Sequence, residues 1–282
     1  MKIYQAPHQI QSELITLKKR GKKIGLIPTM GNLHRGHISL FELAQEQCDV
    51  LVGSIFVNPM QFGANEDLDQ YPRTLASDIK KLEAINVDYL FTPTEEIIYP
   101  LGTEINTSVE VNRLTKRLCG ESRPTHFKGV TTVVNALFNI LQPDLVVFGK
   151  KDYQQYLVLS AMVKDLFLPI EVIGGEIVRE ENGLAMSSRN EFLTAEEKEK
   201  ACELRKVILH YTDRILSGER NYPSIRLDAI KKLNAKSFNV DYFEICNVHT
   251  LENADKNDTQ LLIAVAAWMG QPRLLDNIEI RL

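Results

Sequence analysis

The chain has 282 residues, of which 44% are hydrophobic and 25% are charged, and its formal net charge is −4. This composition is typical of a folded globular protein and excludes a disordered chain as the default. The acidic balance argues against a protein that binds nucleic acid through a broad basic surface. At roughly 150 residues per domain, the length predicts about two domains.

The sequence predicts neither a membrane span nor a disulfide framework. The longest apolar run, residues 261–269, has nine residues, whereas a spanning helix needs about 20. The first ten residues lack the apolar stretch of a signal peptide, and the four cysteines form no CxxC pair. We therefore expect a cytoplasmic protein with reduced thiols and without a membrane partner.

Short apolar runs alternate with amphipathic segments over the first part of the chain. Helices are predicted at 8–20, 36–48, 72–86, 126–141 and 152–167, and strands at 23–29, 49–57, 87–92, 144–149 and 169–175. Continuous apolar strands between helices are typical of a parallel sheet that is covered on both faces. The pattern therefore predicts an α/β fold, a Rossmann-like doubly wound parallel sheet, in a domain of residues 1–175.

The pattern changes after a glycine-containing junction at residues 174–183, which we expect to allow hinge motion. Charged helices are predicted first and apolar strands after them, at 194–216, 223–236, 240–248, 260–268 and 277–282. Helices followed by strands predict a smaller α+β domain with an antiparallel sheet, residues 176–282.

The most informative stretch is residues 28–37, PTMGNLHRGH, which lies between a predicted strand and a predicted helix. In doubly wound folds ligands bind at the carboxyl ends of strands, and a helix N-terminus offers N–H groups to a phosphate. Gly31 permits a close approach or a positive φ. His34 and His37 share one face of the first helical turn, where two imidazoles can bind phosphates. We predict a phosphate site that is neither a Walker A loop nor a GxGxxG loop.

Polar motifs also follow other predicted strands. Asn58 and Gln61 are neutral groups suited to hydroxyl and carboxylate oxygens. A lysine in the segment 149–152 can neutralise phosphate charge, while Asp152 either caps the next helix or binds a ribose hydroxyl. Residues 186–189 combine two hydroxyls with a guanidinium, as expected for phosphate binding by a lid or for a polar turn between domains.

The HxGH signature resembles the nucleotidyltransferase superfamily. Six motifs in order resemble the pantothenate synthetase (pantoate–β-alanine ligase) family: PTMGNLHRGH, SIFVNPMQF, YPRT, RPTHFKGV, GKKDYQQ and GLAMSSRN. The resemblance implies a carbon–nitrogen ligase of pantothenate biosynthesis. It would use ATP, pantoate and β-alanine, pass through pantoyl adenylate, and release pantothenate, AMP and pyrophosphate. It also implies Mg²⁺ bound with ATP and a homodimer.

The resemblance also implies roles for single residues. Catalytic roles are implied for His34, His37 and Lys151. Contacts to ATP are implied for a larger set: Met30, Gly31, Asn32, Leu33, His34, Arg35, Gly36, His37, Gly149, Lys150, Lys151, Asp152, Val178, Met186, Ser187, Ser188 and Arg189. Gln61 and Gln155 are implied to bind pantoate, and Gln61 to bind β-alanine as well.

Secondary positions follow from the same resemblance. Asn58, Arg123 and His126 are expected to border the site. Asp78 matches half of an acidic pair that the family links to a metal, because Ser77 stands at the other position; we therefore carry Asp78 as a candidate magnesium ligand.

One departure from the family pattern concerns the two lysines. Lys150 stands where the family commonly has an acidic residue. Which lysine reaches the phosphates is therefore open from the sequence, with Lys151 favoured by the alignment.

Three other functions remain open from the sequence. One is an adenylyltransferase that needs no amine. Another is a protein similar to a tRNA synthetase, against which the acidic charge and the absence of an anticodon-binding domain argue. The third is a nucleotide-binding regulator without catalysis, against which the presence of His34, His37 and Lys151 argues. The expected partners are small molecules rather than nucleic acid.

Overall fold

A computed structural model describes residues 1–63, 66 and 68–282. The chain divides into two compact units. The first unit comprises Met1–Lys116, Gly120–Lys150 and Gln155–Glu176, and the second comprises Arg117–Cys119, Lys151–Gln154 and Ile177–Leu282. Two short segments, Arg117–Cys119 and Lys151–Gln154, thus join the second unit although the sequence assigns them to the first domain. The predicted boundary after residue 175 stays a prediction.

The first unit contains a parallel sheet, as the apolar runs predict. Its strands in the described part of the chain are β1 (Lys2–Tyr4), β2 (Ile24–Thr29), β3 (Val50–Ile55), β4 (Tyr89–Phe91), β5 (Leu145–Gly149) and β6 (Glu171–Gly175). They lie in the order β1-β4-β3-β2-β5-β6, and every neighbouring pair is parallel. The predicted doubly wound α/β fold is confirmed.

Helices connect these strands. In chain order up to Asp165 they are α1 (Pro7–Lys19), α2 (Arg35–Gln45), α3 (Leu75–Ala84), α4 (Glu95–Ile98), α5 (Cys119–Ser122), α6 (His126–Leu141) and α7 (Tyr153–Asp165). The predicted start of α3 near residue 72 is wrong. The helix begins only after Thr74, whose carbonyl oxygen accepts the N–H groups of Ser77 and Asp78.

The order of the strands reverses between β2 and β5, which are paired inside the sheet. From β2 the chain adds β3 and β4 on one side, whereas β5 and β6 lie on the other side. The loops that follow β2 and β5 therefore leave the sheet in opposite directions, which is the usual ligand position in such folds. The HxGH motif follows β2, and Lys150 follows β5.

A compact apolar core lies against this sheet. Phe41 of α2 is buried with Leu51 and Leu90 of the neighbouring strands. The ring of Phe41 approaches β3 at Gly53, where a Cβ would lie 3.1 Å from its nearest ring atom. Burial of such a side chain stabilises the folded state by about 1.5–3 kcal/mol, so the α2–β3 contact fixes the helix that carries the histidines.

The second unit is an α+β domain, as predicted. Its helices are α8 (Ala195–Ala201), α9 (Glu203–Leu216) and α10 (Tyr222–Asn234), and its strands are β7 (Asn239–Asn247), β8 (Gln260–Trp268) and β9 (Arg273–Arg281). The strands form an antiparallel sheet in the order β7-β8-β9. The single helix predicted at 194–216 is interrupted at Cys202, whose thiol donates to the carbonyl of Glu199. In the part of the chain that the structure covers, no helix has the length and hydropathy needed to cross a membrane.

The contact between α6 and the turn Pro59–Gln61 gives a test of packing. A Cβ at Gly129 would overlap the carbonyl of Met60 and would lie 2.6 Å from the backbone nitrogen of Gln61. Because backbone atoms cannot move aside cheaply, Gly129→Ala should lower the free energy of unfolding by about 3 kcal/mol, measured by thermal or urea unfolding.

Gly63→Ala is the matched control, since the nearest atom to its added Cβ is 3.6 Å away on the flexible side chain of Glu66. An unfolding midpoint for Gly129→Ala equal to that of Gly63→Ala would contradict the packing described.

Candidate active site

Two histidine rings stand together at the beginning of α2. Nδ1 of His34 accepts the backbone N–H of Gly36 at 3.1 Å, and Nδ1 of His37 accepts the backbone N–H of His34 at 3.3 Å. The ring centroids are 4.0 Å apart. Because each Nδ1 uses its lone pair as an acceptor, the proton of each neutral ring lies on Nε2. The rings therefore present Nε2–H donors beside a helix N-terminus, a combination suited to anionic oxygens.

The loop before His34 has an unusual backbone. Gly31 has φ 85° and Asn32 has φ 47°, so two consecutive residues adopt the left-handed region, which favours glycine. The positive φ predicted as one role of Gly31 is confirmed. The backbone N–H groups of Asn32 and Leu33 donate to the two oxygens of Asp78 at 2.9 and 2.8 Å, so a buried carboxylate on α3 fixes this loop.

The surroundings of Asp78 do not fit a direct magnesium ligand. Its side chain is fully buried, the hydroxyl of Thr74 also donates to it at 3.0 Å, and the ammonium of Lys81 lies 3.9 Å away. A coordinated cation would have to displace these donors and approach an ammonium. Moreover, no group of three or more His, Cys, Asp or Glu side chains among residues 1–63, 66 and 68–282 is placed to hold a metal.

A buried amide organises the residues that follow β3. Oδ1 of Asn58 accepts the hydroxyl of Tyr99 at 2.6 Å and the N–H of Met60 at 3.3 Å. Its Nδ2 donates to Oε1 of Gln61 at 3.2 Å and to the carbonyl of Gly129 at 3.1 Å. Burial raises the pKa of Tyr99, so its hydroxyl stays protonated and donates. Asn58 thereby sets the orientation of the Gln61 side chain.

Gln61 is held through its backbone as well. Its carbonyl oxygen accepts from a guanidinium nitrogen of Arg123 at 3.2 Å and faces Nδ1 of His126 at 2.8 Å. Arg123 also pairs with Glu66 at 2.6 and 2.5 Å. Burial alone would raise the pKa of Glu66, but the hydrogen bonds and charge of Arg123 outweigh burial and lower it. Gln61 Nε2 lies 2.7 Å from the sulfur of Met30, next to the HxGH loop.

The two lysines after β5 have different surroundings. The ammonium of Lys150 donates to Glu176 at 2.7 Å within the first unit. Lys151 belongs to the second unit and lies 3.8 Å from the carboxylate of Asp152. Lys150–Asp152 form a 3₁₀ turn directly before α7, and Gln155 follows in the first turn of that helix, half-buried.

In the second unit, a hairpin brings together two of the predicted positions. The N–H of Met186 donates to the carbonyl of Val178 at 2.9 Å, and Gly183, with φ 90°, lies in the turn between them. Ser187 then caps a 3₁₀ turn, Ser188–Phe192, by accepting the N–H of Arg189 at 3.3 Å. Val178 and Met186–Arg189 thus form one local structure.

Two members of the site escaped the sequence reading. Tyr99 contacts Asn58 across 41 positions of sequence, and Glu66 contacts Arg123 across 57. No motif or periodicity links residues so far apart, because the fold alone makes them neighbours. Tyr99 is buried directly after the short helix α4 in the structure, and no local sequence pattern marks it.

Comparison with known proteins identifies the family of this chain. The family model described as pantoate-beta-alanine ligase matches residues 2–279. The pantothenate synthetase of Cellvibrio japonicus is 48% identical over 280 residues, covering 99% of both chains. That of Shewanella baltica is 51% identical over 270 residues, covering 96% of both.

Solved structures give the same result. The crystal structure of pantothenate synthetase from Thermus thermophilus superimposes with a TM-score of 0.93 at 39% identity, over the whole of both chains. A pantoate-beta-alanine ligase from Francisella tularensis, complexed with beta-gamma ATP and beta-alanine, has a TM-score of 0.83 at 35% identity and covers 99% of this chain and 97% of that one. The chain therefore belongs to the pantoate-beta-alanine ligase family.

Proposed function

We propose that this chain uses ATP to join pantoate to β-alanine. Membership of the family supports this function, and so does the Francisella relative that binds beta-gamma ATP and beta-alanine. The observation that carries the proposal is the pair of imidazoles at the N-terminus of α2, both accepting through Nδ1. Such a pair offers Nε2–H donors to phosphate oxygens without a nucleophilic side chain.

In the first step, a carboxylate oxygen of pantoate attacks the α-phosphorus of ATP. A bond forms between that oxygen and phosphorus, the bond to the bridging oxygen of pyrophosphate breaks, and pantoyl adenylate results. Phosphoryl chemistry of this kind needs alignment and charge stabilisation more than covalent help from the protein. His34 and His37 supply hydrogen bonds to the phosphates, and the helix N-terminus adds a favourable dipole.

In the second step, the amine of β-alanine attacks the acyl carbon of the adenylate. The new bond is the amide of pantothenate, the bond to the AMP oxygen breaks, and the amine loses a proton. A free carboxylate is a poor acyl donor, whereas the mixed anhydride with AMP has a good leaving group. The adenylate therefore explains why the reaction needs ATP.

Lys151 is our candidate for the lysine that binds the phosphates. Lys150 is engaged by Glu176 at 2.7 Å, which supports the choice that the alignment favours. The hydroxyls and guanidinium of Ser187, Ser188 and Arg189 supply further donors to phosphate oxygens.

Gln61 and Gln155 are our candidates for binding pantoate, with Gln61 also serving β-alanine. The contacts of Asn58, Arg123 and His126 with Gln61 support this role, because they fix both its amide and its carbonyl. A fixed neutral amide can bind hydroxyl and carboxylate oxygens without a buried charge.

Magnesium enters this proposal as part of the substrate, MgATP, held by phosphate oxygens and water. No protein ligand is assigned to it. A homodimer stays an implication of the family resemblance, and a cytoplasmic location stays a prediction of the sequence.

An omission assay tests the proposed function. With ATP, pantoate and β-alanine all present, we expect equimolar AMP, pyrophosphate and amide. Without β-alanine, pyrophosphate release should stop near one equivalent per active site, because the adenylate stays bound. Without pantoate, none should form. Continued pyrophosphate release without β-alanine and no amide product would favour the adenylyltransferase alternative instead.

Substitution of His37 tests the phosphate-binding role. His37→Asn keeps an acceptor near the position of Nδ1 but removes the Nε2–H donor, so adenylate formation should fall by about 10²–10³-fold with an unchanged melting temperature. Lys151→Met should have a larger effect than Lys150→Met. His8→Ala, at an exposed histidine of α1, is the control. Turnover of His37→Asn and Lys151→Met within twofold of His8→Ala would refute the assignment.

Tyr99→Phe tests the orientation of Gln61. The variant removes one donor to Asn58, at a cost of about 1 kcal/mol in stability, and we expect the KM for pantoate to rise severalfold while the KM for ATP stays unchanged. The matched control is Tyr89→Phe, which also loses a hydroxyl that donates to a side chain, Glu13. Equal changes in the KM values for ATP and pantoate would argue against a role through Gln61.

A further inference from the structure

Two side chains of α3 hold the backbone of one residue, Leu33, beside the histidines. Asp78 Oδ1 accepts the N–H of Leu33 at 2.8 Å, and the ammonium of Lys81 donates to the carbonyl of Leu33 at 2.6 Å. Asp78 and Lys81 are three residues apart and thus lie on one face of the helix. The N–H and the carbonyl of Leu33 are therefore each hydrogen-bonded to a charged group, and such hydrogen bonds are stronger than those to neutral groups.

This pair acts next to a stretch of backbone with an unfavourable conformation. Gly31 and Asn32 both have positive φ, and a non-glycine residue such as Asn32 adopts this region at a cost. The second oxygen of Asp78 accepts the N–H of Asn32, which holds that conformation. The Leu33 side chain is itself buried.

The next residue after Leu33 is His34. Its backbone N–H donates to His37, and its ring caps α2. Displacement of the Leu33 backbone would therefore move the His34 backbone and with it both imidazoles. A displacement of about 1 Å at such a site can cost on the order of 10²-fold in rate.

We propose that Asp78 and Lys81 are positioning residues, which fix the backbone of Leu33 on both sides of its Cα so that His34 and His37 meet the phosphates of ATP. This inference rests on the proposed function. It gives Asp78 a role other than magnesium ligation, and it gives a role to Lys81, which belongs to none of the sequence motifs.

The test compares variants of one helix. Asp78→Asn keeps the size of the side chain but turns an amide N–H₂ toward a backbone N–H. Lys81→Met removes the donor to Leu33, whereas Lys81→Arg keeps one. Lys80→Met, at the exposed neighbouring position, is the matched control.

We expect Asp78→Asn and Lys81→Met to lower kcat by about 10–100-fold while the KM values for pantoate and β-alanine stay within about twofold. Lys81→Arg should recover most of the lost rate, and Lys80→Met should equal the wild type. The concentration of Mg²⁺ that gives half-maximal rate should not change. Amide hydrogen exchange should accelerate in residues 30–37 of Asp78→Asn and Lys81→Met. It should not change in Lys81→Arg or Lys80→Met.

Several results would overturn the inference. A wild-type enzyme that makes the amide, together with Asp78→Asn and Lys81→Met variants equal to Lys80→Met, would remove the positioning role. Recovery of Asp78→Asn by added Mg²⁺ would assign Asp78 to the metal instead. If Asp78→Asn does not fold, Lys81→Met decides alone, because it leaves the buried carboxylate intact; loss of its rate without faster exchange at 30–37 would contradict the inference. Failure of the wild type to make the amide would refute the proposed function itself.

Discussion

The arrangement of the site depends on two hydrogen bonds in which a backbone N–H donates to a histidine ring. In both bonds the acceptor is Nδ1: that of His34 accepts the N–H of Gly36, and that of His37 accepts the N–H of His34. They fix each ring in the tautomer that keeps its proton on Nε2, and they cap the helix that carries both rings. A pair of loop histidines without these bonds would rotate and exchange tautomers, and would offer no fixed donors to a phosphate.

Other parts of the first unit hold the helix and the loop that make these two hydrogen bonds. Phe41 packs α2 against β3. Asp78 of α3 accepts two backbone N–H groups of the loop that leads into α2 and so fixes that loop. The order of the strands reverses between the paired strands β2 and β5, so the loop with positive φ follows a strand at the switch point where ligands bind in such folds. The packing of α2, the hydrogen bonds of Asp78 and the order of the strands together restrict the movement of the two histidines. The site is therefore organised before its ligand binds.

Much of the fold could be predicted from hydrophobic patterning. Residues 145–148 and 261–268 are apolar without interruption, and they lie in buried strands where strands are predicted. The three-residue strand β1 was not predicted, because Lys2–Tyr4 is too short and too polar to show a period. The break at Cys202 was also missed, since a thiol that donates to a nearby carbonyl leaves no mark on the helical pattern.

The site was predictable only where its chemistry is local. His34 and His37 lie in one turn, and their spacing already places them on one face. Tyr99 and Glu66 reach the site only through the tertiary fold. Lys81 is an intermediate case: its spacing from Asp78 indicates a shared helix face, but nothing in the sequence indicates that this face meets Leu33.

The most direct test is a crystal structure of this chain with a non-hydrolysable ATP analogue. We expect phosphate oxygens within hydrogen-bonding distance, about 2.7–3.2 Å, of Nε2 in both His34 and His37, with each Nδ1 still accepting its backbone N–H. A triphosphate bound away from these rings, or rings turned so that Nδ1 faces the phosphates, would contradict it.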